Sequence, residues 1–236
     1  MLTSTGILLA SLLSLFGQVA AQLPDGRLSG NNPPLPMIPK DPGFDPNRMA
    51  PPKDMSGREI PPYNTTYYFD QLIDHNDPSK GTFKVRYWMT WEFYKPGGPM
   101  IMMTPGEGNG ESTSLLHSIS ESIKNLWCTR AFLGYLTYIT NQTINGLIAQ
   151  QQGGATILVE HRFYGLSNPY PDLSIKSFEV HTLDQAIEDF DYFARNVNLP
   201  FPGGDQVGPD RTPWIAVGGS YSGALAAWLR VTWVLF

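Results

Sequence analysis

The hydrophobic pattern of the first folded region has a period of two. Residues 82–94 (TFKVRYWMTWEFY) alternate apolar and polar side chains, which is typical of a strand with one face in water. Residues 67–69 are aromatic and also favour a strand. We therefore expect residues 82–94 to form an outer strand of a sheet.

Later runs are continuously apolar, as strands buried on both faces are. They occupy residues 99–103, 155–160 and 214–217. Helical spacing appears from about Ser112, over 142–152 with a stop at Gly153-Gly154, over 181–195 and over 224–229. Thr182 and Gln185 have the spacing of a capping box. Strands that alternate with helices predict an α/β fold with a mainly parallel sheet covered on both faces.

Composition divides the chain into three parts. Residues 1–21 combine a short apolar run with small residues before a cleavage site after Ala21, as a signal peptide does. Residues 22–62 are rich in proline, which predicts an extended arm. Residues 63–236 carry the strand and helix patterns. No segment after the leader is long and apolar enough to span a membrane.

The net charge and three individual residues indicate which partners and which location the protein can have. The net charge of -5 and the absence of a basic cluster argue against a nucleic-acid partner. Asn64 and Asn141 begin glycosylation triplets, which fit a secreted or lumenal location. Cys128 has no second cysteine in the sequence, so it is either a buried apolar residue or pairs with a cysteine outside these residues.

The most informative segment is WIAVGGSYSGALAAWLR, residues 214–230. A buried strand, a glycine-bounded turn and a helix follow one another, which is the context of a nucleophile elbow with Ser220 as the nucleophile. Ser222 stands where the usual pattern has glycine, and glycine follows at Gly223. Serine is nearly as small, so the packing argument holds. The alternative is an ordinary glycine-rich turn that cradles a phosphate.

An oxyanion hole requires two backbone N–H groups, and the residue after the nucleophile, Tyr221, supplies one. The second comes from the loop after an earlier strand, here PGEGNG at 105–110. Gly106, Glu107 and Gly108 are the candidate donors. Glu107 also has the position to cap a following helix or to bind a substrate ammonium group.

Several motifs together resemble the prolyl carboxypeptidase and dipeptidyl peptidase II family of serine peptidases. They are FDQLIDH, TFKVRYW, TPGEGNG, VEHRFYG, HTLDQAIEDF and GGSYSGALAAW. The resemblance implies the N-terminal portion of an α/β-hydrolase domain, with the C-terminal strands and an inserted helical cap missing. It also implies cleavage of short peptides beside proline, no cofactor and no metal, a vacuolar or lysosomal location as an alternative to secretion, and a full-length form open to dimerisation.

In this fold the catalytic Asp and His follow the serine, but the residues after Ser220 include neither. His161 is an alternative base, although its place before the serine favours a structural role. We therefore expect an N-terminal fragment of a secreted exopeptidase, catalytically silent as this chain stands. An esterase or lipase on the same fold and a non-catalytic secreted binding fragment are the alternatives.

Overall fold

The computed structural model describes residues 50–110 and 135–232, all within one compact unit of the chain. Their strands form one five-stranded sheet in the order β1-β2-β4-β3-β5. The strands are β1 (Tyr67–Leu72), β2 (Thr82–Thr90), β3 (Met100–Met103), β4 (Ala155–Val159) and β5 (Trp214–Val217). Several sequence predictions lie outside the described residues. They are the leader at 1–21, the helix expected to begin near Ser112, and the residues His117 and Cys128.

The sheet is mixed rather than mainly parallel, which corrects the expectation. β2 pairs antiparallel with both β1 and β4, whereas β3 pairs parallel with β4 and β5. The antiparallel part arises because β1 and β2 are joined by a short turn around the 3₁₀ helix Pro78–Lys80, and a short turn can only connect antiparallel neighbours.

The expected outer strand is wrong in position, because β1 forms the edge and β2 lies inside it. The wet face of β2 is limited to its first residues, where Thr82 and Lys84 are exposed. Arg86, predicted on that face, is only 2% exposed. A buried carboxylate neutralises it, as described below, and alternation of residue types does not reveal such a partner.

Three α-helices were expected in the described residues and three are found: α1 (Ile144–Gln152), α2 (Leu183–Asn196) and α3 (Tyr221–Thr232). α1 ends as predicted at Gly153, whose φ of 65° is a left-handed conformation that glycine adopts without strain. Short 3₁₀ helices at Tyr135–Ile139, Ser177–Val180 and Gly204–Gln206 lie in the connections.

The capping box of α2 is half formed. The hydroxyl of Thr182 accepts a hydrogen bond from the Gln185 N–H at 3.3 Å, as predicted. The Gln185 side chain does not return to the cap. Its amide donates to Asp74 at 2.8 Å, and its oxygen accepts from the His75 N–H at 2.9 Å. Gln185 therefore ties α2 to the loop after β1.

Apolar side chains fill both faces of the sheet. One cluster packs alternate strand residues against α2 and α3 and includes Met102, Ile157, Phe193 and Leu225. The other packs the opposite strand positions, such as Met103 and Leu158, against the 3₁₀ helix Tyr135–Ile139. Because side chains alternate between faces, the two clusters cover both sides of the sheet. The predicted α/β fold is thus confirmed.

The end of the proline-rich arm contacts the sheet domain. Ile60 is buried in the cluster that contains Phe193, and Lys53 and Glu59 pair in an antiparallel bridge. None of the helices in the described stretches 50–110 and 135–232 has the length and apolar character needed to cross a membrane.

Candidate active site

Ser220 lies in a tight turn between β5 and α3. Its φ is 54°, a left-handed backbone conformation that is strained for a residue with a side chain, and the residue is exposed. Gly218 permits this turn, because a Cβ there would lie 2.2 Å from the carbonyl oxygen of Ser222. The turn therefore presents the hydroxyl to solvent at the N-terminus of α3.

The serine at position 222 is accommodated by a glycine on a neighbouring loop. Ser222 is buried, and a Cβ on Gly106 would approach its Oγ to 2.6 Å. Gly106 also has a φ of +65°, which glycine adopts without strain. The hydroxyl of Ser222 thus occupies space that the missing side chain of Gly106 leaves open. This packing explains how serine can replace the glycine that the usual nucleophile-elbow pattern has at position 222.

The loop after β3 lies against the serine turn, as the sequence predicted. The Gly106 N–H donates to the Thr104 hydroxyl at 3.1 Å and is thereby engaged within its own loop. Glu107 is exposed and lines the same cleft as Ser220. Tyr221 is the first residue of α3, and a backbone N–H at that position has no acceptor within its helix.

A cleft of about 670 Å³ opens over Ser220 at the carboxyl ends of β3 and β5. Ligands in α/β proteins bind at this end of the sheet. Its lining comes from four segments: Met103 and 105–107, Tyr135 and Tyr138, Ile144 and Asn145, and 217–222. Sequence reasoning found the loop at 105–107 and the turn at 217–222, but not the aromatic and α1 residues.

Asn145 is the least predictable of these lining residues. It is 2% exposed, its amide nitrogen lies 3.1 Å from the Met103 sulfur, and its Oδ1 has no partner among the described residues. No local motif marks it. It reaches the cleft only because α1 packs beside β3, which is a tertiary arrangement.

Glu160 of the EHRFYG motif anchors the loops rather than facing the cleft. It is fully buried and accepts hydrogen bonds from Arg86 Nε at 2.9 Å and from Arg86 Nη2 at 2.8 Å. It also accepts from the Gly110 N–H at 2.9 Å and from the Ser167 hydroxyl at 2.7 Å. Glu160 therefore joins β2, the end of the PGEGNG loop and the loop after β4.

Arg162 of the same motif forms a second buried anchor. Its guanidinium donates to both carboxylate oxygens of Asp189 at 2.6 Å and to the carbonyl oxygen of Val180 at 2.7 Å. His75 from the FDQLIDH motif also meets Asp189, at 2.8 Å. Burial opposes the charge of Asp189, but the adjacent Arg162 guanidinium holds the pKa of that carboxyl below its ordinary value.

His161 contacts the serine turn but does not bond to the nucleophile. Its Nδ1 lies 2.8 Å from the Arg162 carbonyl oxygen, and its Nε2 lies 3.1 Å from the Tyr221 hydroxyl. Both ring nitrogens are thus engaged away from Ser220. Burial lowers the pKa of His161, so its ring is held neutral. This geometry supports the structural role that the sequence favoured.

No group of three His, Cys, Asp or Glu side chains in residues 50–110 and 135–232 converges as a metal site would require. The two glycosylation triplets lie on loops. Asn64 is exposed, whereas Asn141 is half-buried just before α1.

Comparison with known proteins shows similarity to one family and to several curated proteins. Residues 137–233 match the family described as Serine carboxypeptidase S28. The chain is 41% identical over 161 residues to Serine protease vicPa of Bipolaris victoriae, covering 68% of this chain and 26% of that protein. It is 33% identical over 148 residues to a probable extracellular serine carboxypeptidase of Arthroderma benhamiae, covering 63% of this chain and 18% of that protein.

Human lysosomal Pro-X carboxypeptidase is 28% identical over 169 residues, covering 70% of this chain and 28% of that protein. The chain spans about a quarter of the length of the curated relatives it matches.

The mixed sheet, with helices on both faces and a serine turn at its carboxyl edge, defines an α/β protein of the kind that carries hydrolases. Residues 137–233 are similar to the S28 serine carboxypeptidases, which confirms the resemblance predicted from the motifs. The names of these relatives describe serine proteases and serine carboxypeptidases.

Proposed function

We propose that this chain carries the nucleophile of a serine peptidase, and that the nucleophile is Ser220. The observation that carries the proposal is the strained, exposed Ser220 at the N-terminus of α3, lining a cleft of about 670 Å³. Its hydroxyl would attack the scissile carbonyl of a bound peptide. The positive end of the α3 dipole favours the negative charge that develops there.

The oxyanion would be held by the backbone N–H groups of Tyr221 and of the loop after β3. Tyr221 is free of an intrahelical acceptor because it begins α3. In the second loop the Gly106 N–H already donates to Thr104, which favours Glu107 over Gly106 as the second donor. No cofactor or metal takes part in this scheme.

We further propose that Ser220 is poorly activated in this chain on its own. Of the described histidines, His75 meets Asp189, His161 meets Tyr221, and His181 packs among aromatic rings. None of the three bonds to the serine. Without a general base a serine hydroxyl is a weak nucleophile, and loss of the base in a comparable peptidase costs about 10⁶ in kcat.

The substrate we propose is a short peptide cleaved beside proline, by a secreted or lumenal exopeptidase. The motifs support this, as do the names of two relatives, a probable extracellular serine carboxypeptidase and a lysosomal Pro-X carboxypeptidase.

Asn64 and Asn141 would carry glycans in that compartment. Enzymatic deglycosylation of protein from a secretory host should then lower its mass, and an unchanged mass would contradict that part.

A substrate panel tests the function directly. Purified chain is assayed with proline-containing peptides, with matched peptides that carry alanine in place of proline, and with long-chain esters. We expect at most slow hydrolysis of the prolyl peptides, and any hydrolysis above that of the peptides alone should disappear in Ser220→Ala and persist in Ser174→Ala, an exposed serine outside the cleft lining. Faster turnover of the esters would indicate an esterase, and turnover that survives Ser220→Ala would reject the proposal.

A further inference from the structure

The loop after β4 and the serine turn are joined by one side-chain hydrogen bond. His161 Nε2 lies 3.1 Å from the hydroxyl of Tyr221, the residue directly after Ser220. β4 and β5 are not neighbours, because β3 lies between them. The bond therefore spans the carboxyl end of β3 and connects two loops that the sheet itself does not join.

The direction of this bond follows from the other ring nitrogen. His161 Nδ1 lies 2.8 Å from the backbone carbonyl oxygen of Arg162, and a carbonyl oxygen can only accept. Nδ1 must therefore carry the proton of the neutral ring. Nε2 is then an acceptor, and the Tyr221 hydroxyl donates to it.

The Tyr221 side chain also lies beside the loop after β3. A Cβ on Gly106 would lie 3.5 Å from Tyr221 Cδ1, so the ring packs directly on the loop after β3. The His161 ring lies 5.6 Å from the Tyr221 ring, between centroids. His161 is 4% exposed and Tyr221 is half-buried, so the hydrogen bond is partly shielded from competing water. Two loops thus fix the residue whose N–H is the proposed oxyanion donor.

We propose that His161 is a positioning residue for the oxyanion hole, which acts as a neutral hydrogen-bond acceptor that fixes Tyr221. This proposal rests on the proposed function of Ser220 and Tyr221. It assigns a role to the EHRFYG motif at the reaction site that differs from general-base catalysis, since His161 acts through Tyr221 and not on the serine.

The groups that face His161 come from four elements. They are Arg162 and Tyr164 on its own loop, His181 after the 3₁₀ helix Ser177–Val180, Asp189 on α2 and Tyr221 on α3. Burial lowers the pKa of His161 most, and the charges of His181 and Arg162 act in the same direction. The bond to the Arg162 carbonyl and the charge of Asp189 oppose this shift. The pKa of His161 therefore lies below its ordinary value, which favours the neutral ring that the proposed acceptor requires.

Nitrogen-15 NMR of the histidine rings in the full 236-residue chain tests the bond without requiring activity. Three proteins are compared: the unmodified chain, Tyr221→Phe and Tyr164→Phe. Tyr164 is the matched control, because its ring lies 5.4 Å from His161 without a hydrogen bond from its hydroxyl. We expect His161 to carry its proton on Nδ1 in the unmodified chain.

Loss of the donor in Tyr221→Phe removes a bond that favours the neutral ring, so the pKa of His161 should rise. Tyr164→Phe should leave it unchanged. A proton on Nε2, or a pKa that stays or falls in Tyr221→Phe, would overturn the proposal.

The rate of Ser220 modification by a fluorophosphonate provides the functional readout. Tyr221→Phe should slow the reaction about two- to tenfold, the effect expected for loss of one hydrogen bond, while Tyr164→Phe should not. An unchanged rate in Tyr221→Phe would show that the bond does not position the donor. If Ser220 reacts in none of the proteins while the ring titrations behave as expected, the proposed function fails and the hydrogen bond stands.

Discussion

Two regions of this molecule are rich in motif residues, yet their physical environments are opposite. The serine turn is exposed, has a strained backbone at Ser220, and in the described residues forms no side-chain hydrogen bond from the serine hydroxyl. The network around Glu160 and Arg162 is buried and densely hydrogen-bonded. Each region has a non-glycine residue with positive φ, Ser220 in the turn and Phe163 beside the network, so strain does not separate them. Exposure and unused hydrogen-bonding capacity are typical of a ligand site, whereas a buried, hydrogen-bonded network is typical of a scaffold.

The difference explains why both regions look functional in the sequence. The EHRFYG motif contains a carboxylic acid, an imidazole and a guanidinium, which are residue types that catalysis uses. Two of these side chains, Glu160 and Arg162, bond within the buried network and not at the cleft. Glu160 and Arg162 hold in place the loops that line the cleft, and only His161 reaches the serine turn. The comparison therefore predicts that substitutions in the network act on stability, while those in the turn act on chemistry.

The largest effect is expected from Glu160→Gln. The neutral amide would leave the Arg86 guanidinium buried without its carboxylate, and breaking a buried pair costs about 3–5 kcal/mol. Urea denaturation should show this loss in the free energy of unfolding. Glu179→Gln, at an exposed residue, is the control and should change it by less than about 0.5 kcal/mol. Equal losses in the two variants would mean that the pair is not an anchor.

Gly165→Ala should also be strongly destabilising, by about 3 kcal/mol. Gly165 has a φ of +57°, and a Cβ would lie 2.0 Å from Glu160 Oε1, an atom fixed by its hydrogen bonds. Gly203→Ala is the matched control, since φ there is +84° with no atom within 4 Å of a Cβ. The control should lose only the backbone contribution, about 1–2 kcal/mol. Thermal unfolding of both variants would reveal whether Glu160 is as rigid as described.

A smaller loss, about 1 kcal/mol, is expected for Thr182→Ala at the start of α2. The substitution removes the hydroxyl that accepts from the Gln185 N–H. Thr182→Ser retains the acceptor and should remain within about 0.5 kcal/mol of the unmodified protein. If both variants lose the same stability, the methyl group rather than the cap is responsible.

The smallest expected effect is a gradual change in the free energy of unfolding with pH. Burial lowers the pKa values of His161 and His181 below their ordinary 6.5 in the folded chain. The unfolded chain then binds more protons at mildly acidic pH, so their contribution is complete above pH 6.5 and is lost as pH falls below it. The free energy of unfolding should fall as the pH is lowered through 6.5 into the mildly acidic range. The double variant His161→Gln, His181→Gln should flatten this slope, and an unchanged slope would refute the assignment.

The sequence predicted those features that depend on neighbouring residues. The strands β3, β4 and β5, the end of α1 at Gly153 and the cap at Thr182 are all local, and the structure has each of them. β3 and β4 are buried throughout as predicted, whereas β5 is an edge strand in which only Trp214 is buried. The mixed sheet and the inner position of β2 were missed because strand order depends on distant pairing. Arg86 was placed in water because its partner Glu160 is 74 residues away along the chain.

In the candidate site, too, the local features were predictable from the sequence and the tertiary ones were not. The serine turn was recognisable because strand, turn and helix are consecutive, and the loop after β3 was recognisable from its glycines. Asn145 and Tyr138 reach the cleft only through the packing of their segments beside β3. The engagement of the Gly106 N–H by Thr104 is a matter of side-chain geometry that no pattern of residue types reports.

The central claim is that Ser220 is the nucleophile, and peptide mapping after fluorophosphonate treatment tests it most directly. The unmodified chain, Ser220→Ala and Ser174→Ala are treated in parallel and digested, and the modified peptide is identified by mass spectrometry. We expect slow modification at Ser220 alone, lost in Ser220→Ala and retained in Ser174→Ala. Modification at another residue, or a label that persists in Ser220→Ala, would contradict the claim.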